Sequence, residues 1–495
     1  MKLNCGKMRR VAATLLLSLT SLFAFAQTEG PEFIYEVACD LIADGISHES
    51  DVYYPDTKEY ATDNSHWALS STINSTCTVE PGTAEDVGKI LLLLGLTRTP
   101  FGIKGAGHTA NPGYSATPGV QIAMTRFTQV TYDAEAGVAG VGAGNIWDNV
   151  YAGLEPYNVG VVGGRVSGIG VAGFTLGGGY SFKSNQYGLT IDTVVGFEVV
   201  LPSGIVVNAT ASDNPELFFG LKGGFNNFGI VTTFYLQTHP QTEVWGGIII
   251  TTNVDDDVVA ATQQFYDNVN DPKAAILTTF NYDASIGMNI TEMTLYYNAP
   301  TPPEGMFDDF LGLTSISQNV STRSYLSLIL ATIEGSNGLR GYFHTVSLYD
   351  YSTTLLNAIV NETQFWRGQL ESDVPELFIS YDVEPILPSV FSHGTDSAWP
   401  PSRENGILPL NIYYAWASPD NDTLINQIMV QSAEYLTQIA VAEGQDIAQT
   451  SLYPNYAIYN TTMERIYAGN LPRLREVKAK YDPFNVMSLS GGWKF

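Results

Sequence analysis

Along the chain, apolar positions switch between a helical period and a strand period of two, and the switches mark its elements. From Val87 to Leu96 the apolar residues run in helical register. Thr83-Ala-Glu-Asp86 ahead of them is a capping-box pattern, and Pro100 stops the helix. A short apolar strand, Phe101 to Lys104, then enters the loop Gly105-Ala-Gly-His108. Gln121–Met124 and Gly137–Val141 read as further strands. Thr193–Leu201, Pro202-Ser-Gly204 and Ile205–Asn208 read as a hairpin. Pro215, with Asn214 as its cap, opens a short helix. Gly223–Gly229 leads into a strand, Ile230–Leu236, and His239-Pro240 closes the block.

After about Thr242 the pattern changes. Strand-like runs at Gly246–Thr252, Ile276–Tyr282, Glu292–Tyr297 and Leu408–Trp416 alternate with helical stretches at Asp255–Asn268 and Leu424–Val441. This predicts an antiparallel sheet with helices on one face, an α+β arrangement. The tail returns to the first style with a basic helix, Leu474–Tyr481, ended by Asp482-Pro483. At 495 residues the chain is too long for one core. The expected division is a leader at 1–26, a first domain at 27–241 with its core from about 78, a second domain at 242–449, and a returning segment at 450–495.

Composition sharpens this picture at the N-terminus. Lys2, Lys7, Arg9 and Arg10 precede the apolar run Val11–Phe25, and Ala24-Phe25-Ala26 offers a cleavage site. That is a secretory signal, too short for a comfortable membrane span, so the expectation is a secreted, extracellular protein with no membrane partner. Cys39 and Cys77 remain after cleavage, a pair expected to be bridged in an oxidising compartment, the alternative being two free thiols. Sequons begin at Asn74, Asn208, Asn289, Asn319, Asn361, Asn421 and Asn460, a density that fits a glycoprotein. Without the leader, 19 basic face 50 acidic residues. Such a surface repels nucleic acid and anionic membranes.

Chemistry enters with the glycines. Gly168-Ile-Gly170-Val-Ala-Gly173, with Asp192 further on, spells a nicotinamide-dinucleotide fingerprint. The helix it requires would run into Gly177-Gly-Gly179, and three adjacent glycines cost roughly 3 kcal/mol in a helix interior. The glycines fit better as loops laid against a ligand, with backbone N–H groups free to meet a pyrophosphate. Three separate loops, 105–108, 163–179 and 223–229, imply a long flat ligand, which a dinucleotide is.

These segments carry a resemblance. Ile103-Lys-Gly-Ala-Gly-His108-Thr109, Gly164 to Gly179, Glu216 to Thr232 and Tyr481-Asp-Pro-Phe-Asn485 resemble the fungal berberine-bridge-enzyme-like proteins of the vanillyl-alcohol-oxidase superfamily. The resemblance spans nearly the whole chain after the leader, with the motifs in order. It implies a two-domain PCMH-type FAD-binding fold with an antiparallel-sheet substrate domain, and FAD as cofactor through a single 8α-histidyl bond to His108. Lys104, Gly105, Ala106, Gly107, Thr109, Val166, Ser167, Gly170, Gly173, Gly178, Gly179, Ile230 and Asn485 are the other positions it assigns to the cofactor. No metal is expected.

The chain departs from the family's doubly attached members at Val166, where they have a cysteine. Valine cannot bond the flavin, so one attachment is expected and a sugar-oxidase reading is weakened. Arg165 beside it is a candidate to stabilise reduced flavin or bind a substrate carboxylate, with a structural salt bridge as the alternative. For catalysis the resemblance points to Tyr456 of the Asn455-Tyr456 motif, with Tyr453 nearby. A phenol is a poor base near neutrality without help. Tyr413, Tyr414 and Trp416 are candidates for the substrate side, and strand alternation lets only one of Tyr413 and Tyr414 face the flavin. The implied activity is oxidation of a small molecule (an alcohol, amine or activated C–H), with oxygen or another acceptor restoring the flavin. The alternatives are an oligosaccharide oxidase forming a lactone and a non-catalytic flavin carrier.

Overall fold

The computed structural model describes residues 30–252, 256–332 and 338–495, so the leader at 1–26 lies outside the described residues. Pro31 opens the helix Pro31–Gly45, whose buried side, Ala38, Cys39 and Ile42, faces the first core. Cys39 is bridged to Cys77 across a Cα separation of 6.2 Å. The expected pairing is therefore present, and it ties this helix to the first strand of a parallel trio.

That trio is Cys77–Glu80, Val120–Ala123 and Phe101–Lys104, with Asp51–Tyr53 added antiparallel at the edge. Val79, Ile122 and Phe101 are fully buried, as parallel strands covered on both faces should be. A second, antiparallel sheet runs in the order Val130–Asp133, Val138–Gly142, Ile230–Gln237, Val194–Val200, Val206–Thr210. The helix Ala84–Thr97 packs beside it. Its capping box is half formed: Thr83 Oγ1 accepts from Asp86 N at 3.1 Å, while the Asp86 carboxylate turns away to Ser47 and Ser50.

The middle of the chain forms one seven-stranded antiparallel sheet. Its order is Ser317–Arg323, Val244–Thr251, Met288–Tyr297, Ala274–Asp283, Phe378–Val383, Leu408–Trp416, Arg340–Leu348. Ile379, Tyr381, Ile412 and Tyr414 belong to a second core on the side of the helices Thr353–Leu370 and Asp422–Ala442. The alternate residues of the same strands face the first half of the molecule: Trp67 stacks within 5.6 Å of Phe343 and 5.3 Å of Tyr413. The expected mixed fold with an antiparallel sheet is thus observed.

Three strands of this sheet and the long helix beside them escape the hydrophobic pattern. Ser317–Arg323 is a polar edge strand, and Arg340–Leu348 and Phe378–Val383 place polar residues on the face turned to the site. The helix Thr353–Leu370 starts at a Ser352 cap that accepts from Leu355 N. Asn214 does not cap its helix through its side chain. It sits at φ 53°, and its Nδ2 donates to Asn208 O. At the C-terminus the helix Leu471–Tyr481 packs on Pro215–Leu221, with Arg473 gripping Glu216 at 2.9 and 3.0 Å.

Candidate active site

A cavity of about 290 Å³ opens where the glycine loops of the first half meet the sheet of the second. Gly105, Gly107, Gly170, Gly173 and Gly229 line it, so all three glycine loops contribute. The first loop leaves the carboxyl end of Phe101–Lys104, and Gly107 turns it at φ +77°, a conformation that favours glycine. The second is not a dinucleotide-fold helix. Val171–Leu176 lasts six residues and ends at Gly177.

His108 lines the cavity. Its ring stacks on Trp67 at 4.4 Å between centroids and 17° between planes, with Phe343 at 6.2 Å behind. Desolvation among these rings lowers its pKa to about 4. The imidazole is therefore neutral at any ordinary pH, with a lone pair available for bonding.

Arg165 and Tyr456, which also line the cavity, meet a buried acid. Arg165 Nη1 donates to Glu384 Oε2 at 2.7 Å, with the two side chains 10% and 1% exposed. Arg165 Nη2 donates to the Tyr456 hydroxyl at 2.9 Å, and that hydroxyl donates to Glu384 Oε1 at 2.9 Å. The three form a closed ring of charge-assisted bonds. Burial first, and the Glu384 charge second, push the Tyr456 phenol well above its usual range, with Arg165 opposing. Tyr456 is thus a neutral phenol aimed at a carboxylate, rather than a resting phenolate.

Around Tyr456 the support is tight. Asn455 Nδ2 donates to Phe174 O at 3.0 Å and to the Tyr453 hydroxyl at 2.9 Å. Tyr453 also accepts from Gly179 N at 3.1 Å and meets Tyr456 edge-on. A Cβ at Gly177 would lie 2.0 Å from Asn455 Oδ1, so glycine there is what lets this segment approach.

Of the residues singled out from sequence, Gly105, Ala106, Gly107, His108, Thr109, Val166, Gly170, Gly173, Ile230 and Tyr456 line the cavity. Others stand behind its wall. Lys104 Nζ donates to Thr62 O at 2.7 Å beneath Gly107, and Ser167 Oγ donates to Asp148 at 2.7 Å. Gly178 and Gly179 pack against Trp399, Tyr453 and Thr190. Two positions need correction. Tyr414 lies in the second core, its hydroxyl bonded to Tyr381 at 2.9 Å, because alternation turns Tyr413 toward Trp67 instead. Asn485 is exposed, away from the cavity, at φ 54° in the turn that Asp482 holds through Val486 N and Met487 N. From the tail, Gly492 and Trp493 reach the cavity.

Trp67, Phe343 and Glu384 were not singled out from sequence. Only Glu384 left a signal, an acid set directly before a proline.

The cavity suits a flavin dinucleotide. A Cβ at Gly173 would meet no protein atom within 4 Å, so the wall there is open to a bound group. Asn111 Oδ1 is buried and unpartnered at the lining, an acceptor awaiting a donor. Met124, Ala143 and Val231 add apolar lining suited to a flat ring system. These features define a flavin-binding oxidoreductase.

The comparisons agree. A family description for an FAD binding domain matches residues 75–210, and one for berberine and berberine-like proteins matches 453–490. The chain is 32% identical over 464 residues to the FAD-dependent monooxygenase drtC of Aspergillus calidoustus, covering 89% of this chain and 87% of the relative. It belongs to the berberine-bridge-enzyme-like family of FAD-linked oxidoreductases. Its fold matches 6-hydroxy-D-nicotine oxidase of Arthrobacter nicotinovorans at TM-score 0.73 and 18% identity, covering 90% and 98% of the two chains. It also matches glucooligosaccharide oxidase of Acremonium strictum, a protein with 6-S-cysteinyl, 8α-N1-histidyl FAD, at TM-score 0.73 and 19% identity, covering 91% and 97%.

Proposed function

We propose that this enzyme removes a hydride from a small organic substrate (an alcohol, amine or activated C–H) onto FAD held by one covalent bond to His108. The observation that carries the reading is the shared cavity, lined by a neutral imidazole and by Arg165 and Tyr456, which Glu384 joins in a ring of hydrogen bonds. Bound FAD supplies the hydride acceptor. His108 is the nucleophile for attachment, and Val166 has no sulfur to make a second bond. Lys104 props the loop that carries His108, and the glycines let backbone close on the ligand.

Tyr456 is the general base, acting with Glu384. As hydride leaves substrate carbon, the proton on the substrate heteroatom passes to the Tyr456 oxygen. The phenolic proton moves to Glu384 Oε1 in the same step. Arg165 holds the carboxylate in line and offsets its charge. Tyr453 and Asn455 fix the ring.

The aromatic lining of Phe343 and Tyr456 favours a planar or apolar substrate over an oligosaccharide. We further propose a domain division near residue 242, a secreted glycoprotein and reoxidation by oxygen. The Cys39–Cys77 bridge supports an oxidising compartment, and none of the seven sequon asparagines is buried. No described helix is long and apolar enough to cross a membrane.

Anaerobic mixing of the holoenzyme with aromatic alcohols, amines and oligosaccharides tests the reading. Bleaching of the flavin by an alcohol or amine supports it. Bleaching by oligosaccharides alone would replace it with the sugar-oxidase alternative, and bleaching by none would leave a flavin carrier.

A further inference from the structure

One side chain ties the loop that carries His108 to the segment that carries Tyr456. Asn111, three residues beyond His108, lines the cavity and is 8% exposed. Its Nδ2 donates to Ala457 O at 3.0 Å. Ala457 directly follows Tyr456, and both belong to a turn in which Tyr456 N and Ala457 N donate to Tyr453 O at 3.1 and 2.9 Å. A carbonyl only accepts, so the Asn111 amide has one orientation, with its nitrogen toward Ala457 and its oxygen turned the other way. That oxygen, Oδ1, is buried and has no hydrogen-bond partner among the described residues.

The loop backbone is fixed as well. Pro112 and Gly113, the latter at φ +72°, form a turn in which Tyr114 N donates to Asn111 O at 3.3 Å. Ser71 Oγ donates to Thr109 O at 2.6 Å, Ser70 Oγ donates to Ala110 O at 3.2 Å, and Asn111 N donates to Thr109 Oγ1 at 3.3 Å. The amide is therefore held in place from both sides of the loop. A buried acceptor without a donor is unfavourable, so a ligand that fills this cavity should bring the donor. FAD has donors on its ribityl and ribose hydroxyls, at the flavin N3 and on the adenine amino group, and none on its ionised phosphates.

We propose that Asn111 is a positioning residue that couples seating of the flavin to the placement of Tyr456. Its Oδ1 accepts from a ribityl hydroxyl or from the ring N3–H of FAD, while its Nδ2 fixes the Ala457 carbonyl. The flavin half is favoured over the adenosine half because the loop starts at His108, the attachment point, and Asn111 reaches the residue beside Tyr456. With Oδ1 satisfied, the amide is locked at both ends, and the Tyr453–Ala457 turn is held where the phenol meets Glu384. This role rests on the reading above, in which Tyr456 is the base.

His108→Ala protein, to which FAD can be added and from which it can be removed, tests this without turnover. Saturating FAD should slow hydrogen exchange about tenfold or more in the peptide that contains Tyr456 and Ala457, read by mass spectrometry. Adding Asn111→Leu, which keeps the volume and removes both bonds, should abolish that protection and weaken FAD binding about tenfold or more by flavin fluorescence. The same titration with N3-methyl-FAD and with the 2′-, 3′- and 4′-deoxyribityl FADs identifies the donor. The analogue that lacks it should bind about tenfold more weakly than FAD, and Asn111→Leu should cost that analogue nothing further. Full FAD affinity or full protection in the Asn111→Leu variant would overturn the proposal, as would analogues that all bind and protect like FAD. If the Leu variant does not fold, the analogue series in His108→Ala protein decides alone. Failure of every substrate to bleach the flavin would instead sink the proposed function and leave this cofactor result standing.

Discussion

Tyr456→Phe separates chemistry from packing most cleanly. The ring would still meet Tyr453 edge-on and Phe343 at 6.3 Å, so the shape of the wall survives. The hydroxyl is lost, and with it two 2.9 Å bonds to Arg165 and Glu384. The 2.7 Å ion pair between those two remains, so the larger penalty of about 3–5 kcal/mol for breaking a buried pair does not apply. What remains is roughly 1–3 kcal/mol for one donor and one acceptor left short. That should lower the melting temperature by only a few degrees in a chain of this size. Reduction of the flavin should slow far more, by about 10²-fold or greater, which is ~2.7 kcal/mol on the barrier. Anaerobic stopped-flow absorbance gives this rate directly, and the spectrum before mixing gives flavin content. A Phe variant with full flavin that reduces at the wild-type rate would remove Tyr456 from the mechanism. Attention would then pass to Tyr413.

Two further outcomes follow from burial and from the glycine wall. His66 and His344 are each 6% exposed, and burial lowers both to about 4 from an ordinary 6.5. The unfolded chain therefore binds more protons between those values, so the stability they contribute is present above about pH 6.5 and is lost as pH falls toward 4. Melting temperatures across that window should fall with acid, and a flat profile would contradict the neutral buried state. Gly173→Val should fold at near wild-type stability, because its side chain enters open space. It should carry much less flavin by absorbance, and a full complement would show that the cofactor lies elsewhere.

How much was legible varied with the kind of signal. The strand into glycine loop ending at His108 was readable because apolar pattern and glycine spacing both mark it. The helix Ala84–Thr97 declared itself through Thr83 and its apolar face. Leu408–Trp416 was placed to the residue because all nine positions are buried. Which face of that strand meets the cavity was not readable, since Tyr413 and Tyr414 are chemically alike and only cross-strand register separates them. Glu384 and Trp67 reach the site from segments far from any glycine motif, and no local periodicity says where such residues converge. Asn485 shows the opposite failure, in which a recognisable motif serves a turn at the tail and not the ligand.

The most direct test of the account is peptide mapping of denatured, protease-digested wild-type protein by mass spectrometry. The account predicts the mass of one FAD on the peptide that contains His108, none on the peptide that contains Val166, and none free in the acid supernatant. Flavin released entirely into the supernatant, or found on any other peptide, would contradict it.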